Sequence, residues 1–594
     1  MEAVGPVLGV ARSLSGRSWI WRQPPDPGAD RLGLGIAQRL GVSDLLGRLL
    51  ALRGVGVEAA ADFLAPTLRA LLPDPASLID MDRAAARLAA AVRAGETVAV
   101  FGDYDVDGAC SGAIIAGLLR ELGCPVLPYV PDRLAEGYGP NLPALRGLVA
   151  RGATLVVCVD CGTAAGEALA GIHNQADVVV LDHHKAEGPP PDVVATVNPN
   201  RLDCESGLRH LCAGAIAFLA AIATLRVLRR EGFFAARPEP DLISMLDMVA
   251  LSTVCDVMPL VGVNRALVTQ GLKVMARRAR PGIAALLDVA MVQVRPSAMT
   301  LGYALGPRIN AAGRISESDL GLRLLLCGDE VEARQIAATL DGVNRQRQQV
   351  EASMLDTAMQ QAEAQIGAGH AVVVVAGDGW HPGVVGIVAG RIKERFNRPA
   401  CVAGIAEGLA KGSGRSVPGL DLGAAVIAAR QAGILATGGG HAMAAGFSLP
   451  AASVAEFHAF LEQRLAAAAS LPTAIDLAVE ASLSVPACTT ELARDLARLA
   501  PFGNGNDEPM LVLPRARVVR ADRVGKEGGT IRAFIEGEGG GRLKAMLFRA
   551  KEGPLAEALL GRDGAALHLA GHLRAEEWNG TVSAGFVIAD LAVA

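Results

Sequence analysis

The sequence predicts an α/β protein of several domains: a parallel-sheet lobe, a long helix, a second α/β lobe and a C-terminal β-barrel. Three observations carry this expectation. At 594 residues the chain exceeds what one hydrophobic core serves, and 51% hydrophobic against 20% charged residues leave most of it able to fold. Between about residues 74 and 325, short and nearly continuous apolar runs alternate with helix-length segments, as in a parallel sheet covered on both faces. Beyond residue 472 the text changes to short alternating segments separated by glycine turns, the pattern of a small barrel.

Residues 1–73 read as an irregular arm followed by helices. Apolar residues recur at helical spacing over Ile36–Leu50 and Ala59–Leu72, with Pro66 as a breaker. No chemistry is visible there, and a structural cap on the next domain is expected. In the lobe spanning 74–325, strands are expected at Thr97–Phe101, Val126–Val130, Thr154–Val159 and Val178–Leu181, with helices at Ser111–Leu122, Asn141–Arg151 and Ala164–Ala170. The apolar, uncharged run Leu211–Leu225 has 15 residues. That is short of the ~20 needed to cross a bilayer and fits a buried helix. Met1–Trp21 lacks the unbroken apolar core of a signal peptide. The ten cysteines form no framework, and Cys158-x-x-Cys161 has no second pair at zinc spacing, so reduced thiols in the cytoplasm are expected. A formal charge of −5 carries no global signature of a nucleic-acid binder, so any such surface is local.

In parallel sheets, ligands sit just outside the carboxyl ends of the strands. The residues there are unusually polar. Asp103, Asp105 and Asp107 follow the first strand, Asp160 follows the third, and Asp182-His183-His184 follow the fourth. A helical stretch, Ile243–Leu251, then runs into Ser252-Thr-Val-Cys-Asp-Val-Met-Pro259, where Asp256 is the only charge. A lone Asp at a strand end is usually a helix cap. Carboxylates and imidazoles gathered at one sheet edge instead suggest a site for two hard divalent ions, which relieve the mutual repulsion of the acids. Such a pair suits phosphodiester hydrolysis, because two ions ~3.5–4 Å apart activate water on one side and stabilise the leaving oxygen on the other.

Glu330–Ile366 reads as one long helix, within a linker at 326–367. Its polar face carries Asn344-Arg-Gln-Arg347, which suits either a solvated linker or arginines that touch phosphates. A second α/β lobe is expected over 368–470, opening with a strand at Ala371–Val375. Two glycine-rich stretches, Lys411–Ser416 and Gly438–Gly446, read as loops. Turns need glycine, but glycine N–H groups also cradle phosphate, and Arg415 adds a forked donor. The last domain, 472–594, is expected to hold short strands at Met510–Leu513, Arg517–Val519, Thr530–Glu536, Leu543–Phe548 and Ala566–Leu573. From Glu508 to Ala550 nine Arg/Lys stand against five Asp/Glu, a local +4. With Phe534 and Phe548 this suits single-strand binding, or simply a charged barrel surface.

The series Asp105-x-Asp107-Gly, Asp160, Asp182-His-His184 and Asp256 resembles the four motifs of the DHH phosphoesterase superfamily. The flanking text, including Gly102–Gly108, Tyr129–Arg133 with Glu136–Gly139, Ser252–Leu260 and Gly306–Arg314, is similar to the RecJ family of bacterial exonucleases from about residue 40 onward. The resemblance implies a DHH lobe, a linking helix, a DHHA1 lobe and an OB-like barrel. It also implies metal-dependent 5′→3′ hydrolysis of single-stranded DNA, in repair and recombination. Asp105, Asp107, Asp160, His183 and Asp256 would hold two Mn²⁺ or Mg²⁺ ions, and Asp160 would bridge them. His184 would contact the scissile phosphate or orient a ligand, and Asp103 would be a less direct member of the catalytic set. Many DHH phosphatases have a histidine where this chain has Phe101, so one ion would be short of a protein ligand or have that place filled by water or substrate. Arg133, Arg308, Arg314 and Arg347 from the first half, and Ser413, Arg415, Gly439, Gly440 and His441 from the second, would hold the nucleic acid. Arg133, Ser413 and Arg415 would form a 5′-phosphate pocket, with DNA passing between two bridged lobes. A monomer away from membranes is implied, with a single-strand-binding protein and a RecQ-type helicase as partners. Two other readings fit the same motifs: a DHH phosphodiesterase for oligoribonucleotides or cyclic dinucleotides, and a catalytically inactive DNA-binding scaffold. The long helix and the barrel weigh against the first, and the intact acids and histidines against the second.

Overall fold

The structure is a computed structural model that describes residues 5–594 apart from 134, 187, 473–474, 526–527, 551, 562–563 and 579. Lys526 and Glu527, counted above in the basic excess of the barrel, lie outside the described residues. The chain divides into two compact units. The first comprises Ala65–Gln348 with Pro501–Asp507, and the second Met1–Leu64, Gln349–Ala500 and Glu508–Ala594.

The first unit is built on five parallel strands: β1 (Val98–Gly102), β2 (Val126–Tyr129), β3 (Leu155–Val159), β4 (Asp177–Leu181) and β5 (Ala195–Val197), in the order β2-β1-β3-β4-β5. The period-two alternation of a strand sorts their side chains onto two cores. Val98, Val100, Leu155, Val157, Val179 and Leu181 face a core that includes helices α1 (Met81–Ala94), α2 (Val106–Glu121) and, further along, α5 (Ala213–Arg230). Ala99, Phe101, Val156, Cys158, Val178 and Val180 face the opposite one, with α3 (Leu142–Ala150) and α4 (Gly166–Ala170). The chain leaves β1 toward β2 and returns to β3 on its other side. The carboxyl ends of β1 and β3 therefore flank a topological switch point, where ligands of open α/β sheets bind. Helix α6 (Leu246–Cys255) packs on α2 and α5 and delivers Asp256 at its C-terminus.

Helix α7 (Glu330–Gly367) runs without a break through Gly342, and its last third packs on the second unit's sheet. That sheet has five strands: β6 (Val373–Asp378), β7 (Ala400–Ala406), β8 (Leu409–Arg415), β9 (Thr437–His441) and β10 (Ala444–Pro450), ordered β9-β10-β8-β7-β6, with β6 at an edge. Helices α8 (Val385–Phe396), α9 (Leu422–Gln431) and α10 (Val454–Arg464) complete the lobe. The two glycine-rich stretches expected as loops are strands here. Glycine is required by close approach rather than by turning: a Cβ on Gly412 would lie 2.2 Å from the Phe447 ring, and one on Gly414 would lie 2.6 Å from Leu422.

The barrel also departs from expectation. Its strands are longer: β11 (Leu511–Val524), β12 (Thr530–Gly537), β13 (Gly540–Leu547), β14 (Ala566–Trp578) and β15 (Thr581–Val593), with β11 pairing both β12 and β14 to close the ring. Pro514 and Arg515 split β11 in the sequence. The chain crosses them with one register shift against β14, Arg515 at φ +48°, and continues as one strand. The last strand, β15, was not foreseen.

Only the last part of the 1–73 segment packs on the sheet lobe, where Leu68 and Leu72 cover its core, and residues Met1–Leu64 belong to the second unit. Residues Trp19–Trp21 pair in parallel with Leu477–Val479, and Trp19 is buried with Val7, Val10, Val512, Ala570 and Ala592. Its indole N–H donates to Asp590 at 2.9 Å. The following helices, Pro27–Leu40 and Asp44–Leu52, are tied to the same unit through Ser43, which donates from N and Oγ to Asp495. Among the described residues, no helix is long and apolar enough to cross a membrane.

Candidate active site

The turn after β1 is wound tightly by its own acids. Asp105 caps α2, its Oδ1 accepting from the N–H groups of Asp107 (2.8 Å) and Gly108 (3.0 Å). Asp107 then reaches across to α5. Its carboxylate accepts from the N–H groups of Ala213 and Gly214, both at 2.8 Å, and from the Ser252 hydroxyl. Gly214 is obligatory, because a Cβ there would lie 2.3 Å from Ser252 Oγ. Asp107 thus occupies the positive end of an 18-residue helix.

Asp160 leaves β3 in the left-handed region at φ +58°, a conformation that Asp tolerates and most residues do not. Val257, immediately after Asp256, has φ +57° despite its branched side chain. Asn504 holds that strained turn, its amide donating to the Val257 carbonyl at 2.7 Å.

These elements converge on the His183 imidazole. Its Nε2 lies 3.3 Å from Asp160 Oδ1, 3.4 Å from Asp256 Oδ2 and 3.6 Å from Asp107 Oδ2. Asp103, Asp105 and Asp160 form an adjoining group whose ligand atoms lie within 4.8 Å of one another, and Asp160 also groups with His183 and His184. Asp160 is common to both groups.

Electrostatics follow from this packing. Burial, then the neighbouring Asp105 charge, pushes the Asp103 carboxyl up to about 8. Burial and the charge of Asp107 push Asp256 up to about 9. Burial and the same neighbour raise Asp105 and Asp160 as well. Buried acids so close together demand either protons or a cation. Two buried oxygens, Asp160 Oδ1 and Asp256 Oδ2, have no hydrogen-bond partner. Orphaned acceptors facing one imidazole, in an oxygen-rich donor set, fit divalent ions of the Mn²⁺ or Mg²⁺ kind.

Asp182 belongs to the Asp-His-His motif, and its position shows what it does. Oδ1 accepts from the backbone N–H of His183 (2.7 Å) and His184 (3.1 Å) and meets His184 Nδ1 at 2.8 Å, while Oδ2 accepts from Thr163 N. Burial opposes ionisation of the His184 ring, but the Asp182 carboxylate outweighs it and raises the imidazole to about 9. The Tyr138 hydroxyl stands 3.1 Å from the same nitrogen and donates to the Asp160 carbonyl. Asn198 and Asn200 hold the His184 and His183 carbonyls. A sequence offers little sign of Asp182, Tyr138, Asn200 or Asn504 in these roles, because the contacts span loops.

Phe101 takes no part in the cluster. Strand alternation turns it into the apolar layer on the other face, with its ring centroid 5.2 Å from that of Tyr129. Asp103, two residues on, stands beside Asp105 and Asp160 instead.

The expected phosphate-binding residues are dispersed. Arg133 lies over the Tyr104 ring at 5.0 Å. Arg314 ends a helix whose Gly313 abuts Tyr104. Arg308 is engaged by Asp341 and by the Ala304 carbonyl, so a phosphate would compete for it. The solvated face expected at Asn344–Arg347 is not seen at its two ends, where Asn344 and Arg347 are buried and bonded to each other. In the second unit, Arg415 Nη1 donates to Ser413 Oγ and to the Gly414 carbonyl, both at 2.8 Å. Gly386, near the start of α8, lies against this pair. Gly439, Gly440 and His441 form the outer strand β9, and the His441 ring accepts from Met443 N.

Comparison with known proteins agrees with this layout. Residues 97–253 match the DHH family, N-terminal domain, residues 369–467 the DHHA1 domain, and residues 479–590 the RecJ OB domain. The chain is 33% identical over 94% of its length to a Bacillus subtilis single-stranded-DNA-specific exonuclease RecJ, covering 69% of that protein. It is 36% identical over 84% of its length to the Escherichia coli protein of the same name, covering 88% of it. A crystal structure of Thermus thermophilus RecJ in complex with Mn²⁺ superposes with a TM-score of 0.78 at 30% identity, over 96% of this chain and 78% of that one. With these identities over most of both chains, the protein belongs to the RecJ family.

Proposed function

We propose that the chain is a metal-dependent exonuclease that hydrolyses single-stranded DNA from its 5′ end. One observation carries the reading: Asp107, Asp160 and Asp256 converge within 3.6 Å of one imidazole nitrogen, with two of their oxygens unpartnered. Asp105, Asp107, Asp160, His183 and Asp256 would hold two Mn²⁺ or Mg²⁺ ions, and Asp103 stands beside Asp105 and Asp160. When bound, the ions acidify a water and neutralise charge on the phosphoryl oxygens. The remaining work belongs to the chain. Asp182 fixes the His184 ring and keeps it protonated, so that it donates to a non-bridging oxygen of the scissile phosphate. The strained turns at Asp160 and Val257 hold two carboxylates in place before substrate arrives. Ser413 and Arg415 bind the 5′ phosphate in the second unit. The barrel binds single strands through its basic, Phe-bearing surface. The chain works in the cytoplasm, where its ten thiols stay free. A single-strand-binding protein and a RecQ-type helicase are its partners in repair.

Digestion of end-labelled single strands tests this. With Mn²⁺ or Mg²⁺, a 5′ label is released as mononucleotide at once and a 3′ label only at the end, and a chelator stops both. Early release of the 3′ label reverses the polarity. Cutting of circular single strands makes the enzyme an endonuclease. The small-substrate reading predicts instead that loss of the barrel leaves turnover unchanged.

A further inference from the structure

Among the described residues, one cluster of metal-ligating side chains stands apart from the acid site. His370 lies just before the edge strand β6, and His458 and Glu462 lie one turn apart on α10. His370 Nδ1 and His458 Nε2 are each 3.5 Å from the same oxygen, Glu462 Oε1. Ligands about 2.0–2.1 Å from a tetrahedral ion lie about 3.3–3.4 Å from one another, so these spacings are already close to an ion's coordination edges. The two rings face each other with centroids 4.7 Å apart. Glu462 is held in place independently: Oε1 accepts from Val372 N at 2.8 Å and Oε2 from Ala371 N at 3.2 Å.

We propose that His370, His458 and Glu462 form a second metal site, for an ion of the Zn²⁺ class, that staples α10 to the open edge of β6. Two imidazoles and a single carboxylate favour borderline ions such as Zn²⁺, whereas the acid cluster of the first unit favours hard ones. Water completes the coordination, as the His370 side chain is 42% exposed. The competing state is visible as well. Without an ion, His458 Nε2–H donates to the Val372 carbonyl at 2.9 Å. That bond and the two to Glu462 cap an otherwise unpaired strand edge, alongside Gln361 and Gln365 from α7, which bond Ala376 and Val374. An ion takes Nε2 from the carbonyl, the ring proton moves to Nδ1, and the edge is closed by coordination instead.

The test is Zn²⁺ stoichiometry and melting temperature in the full chain, metal-free and then titrated against a chromophoric chelator. His370→Ala and His458→Gln are the variants, because the glutamine amide can keep the bond to the Val372 carbonyl while removing the imidazole. Each variant is expected to bind one Zn²⁺ equivalent fewer than the parent. Each is also expected to lose a Zn²⁺-dependent rise in melting temperature while melting like the parent without metal. Co²⁺ should give a visible absorption band that both substitutions remove. Equal stoichiometry in parent and His370→Ala overturns the proposal, and so does an unchanged Zn²⁺-dependent rise in either variant.

Discussion

Asp160→Asn separates stability from catalysis at the acid cluster. Asparagine tolerates the left-handed backbone at this position, so the strand end is not disturbed. Asp160 Oδ1 has no hydrogen-bond partner to lose. The substitution does remove a buried charge whose neighbours' ligand atoms lie within 4.8 Å. At that distance and an effective dielectric of 20, two ionised carboxylates repel by about 3.5 kcal/mol. Burial and mutual repulsion raise Asp160, Asp103 and Asp105 toward their neutral forms, which already relieves part of this, so about 1–3 kcal/mol is recovered on substitution. In a unit of this size that amounts to about 2–6 °C in melting temperature. The metal-free variant should therefore melt higher than the parent, while nucleotide release with Mn²⁺ falls by about 10²–10³-fold or more. Mn²⁺ should raise the parent's melting temperature and leave the variant's nearly unchanged. A variant that melts lower without metal, or that degrades single strands at the parental rate, refutes the picture of an overcharged pocket built around a cation.

Other outcomes follow from neighbouring contacts. Asp107→Ala strands the Ala213 and Gly214 N–H groups and the Ser252 hydroxyl in the interior, at about 1–3 kcal/mol each, so it should unfold at lower denaturant as well as lose activity. Asp182→Asn removes the partner that holds His184 near 9; the rate should drop about 10–100-fold, and an NMR titration should place that imidazole nearer its ordinary value. In the metal-free chain Asp103 and Asp256 keep protons that the unfolded chain has lost, and His184 keeps its extra stabilisation only until pH passes about 9. Both effects have one sign: melting temperature should fall as pH rises from about 5 to about 9. Saturating Mn²⁺ should remove or reverse that slope, because the ion displaces the protons. Arg415→Ala should raise KM for 5′-phosphorylated strands by about 10–100-fold and leave unphosphorylated ones little changed, a difference read directly in steady-state assays.

The sheet lobe was legible because its strands alternate between two apolar layers, so Val98 to Phe101 and Leu155 to Val159 register as buried on both faces. The acids were legible because each follows such a strand. Features that depend on distant partners were not. Nothing near Gly412 or Gly414 indicates that Phe447 and Leu422 press on them, so two strands read as loops. Pro514 looks like a strand end until β14 is seen pairing on both sides of it. Arg347 looks solvated on a helical wheel, and only the fold encloses it. Asn504 sits in a turn-rich connector far along the chain from the strained residue that it supports, a separation of 247 residues.

The clasp between Trp19 and Asp590 governs how the molecule is made. Trp19 and Asp590 are 571 residues apart, so the arm leaves the ribosome long before the strand that buries it. At about 5–20 residues per second, translation leaves the Trp19 side chain without its partner for about half a minute to two minutes. Through that interval Val7, Val10 and Trp19 form an apolar segment with nothing to cover it. Holding such a segment is what chaperones do, and a barrel excised at residue 472 would lack the strand that seals its core.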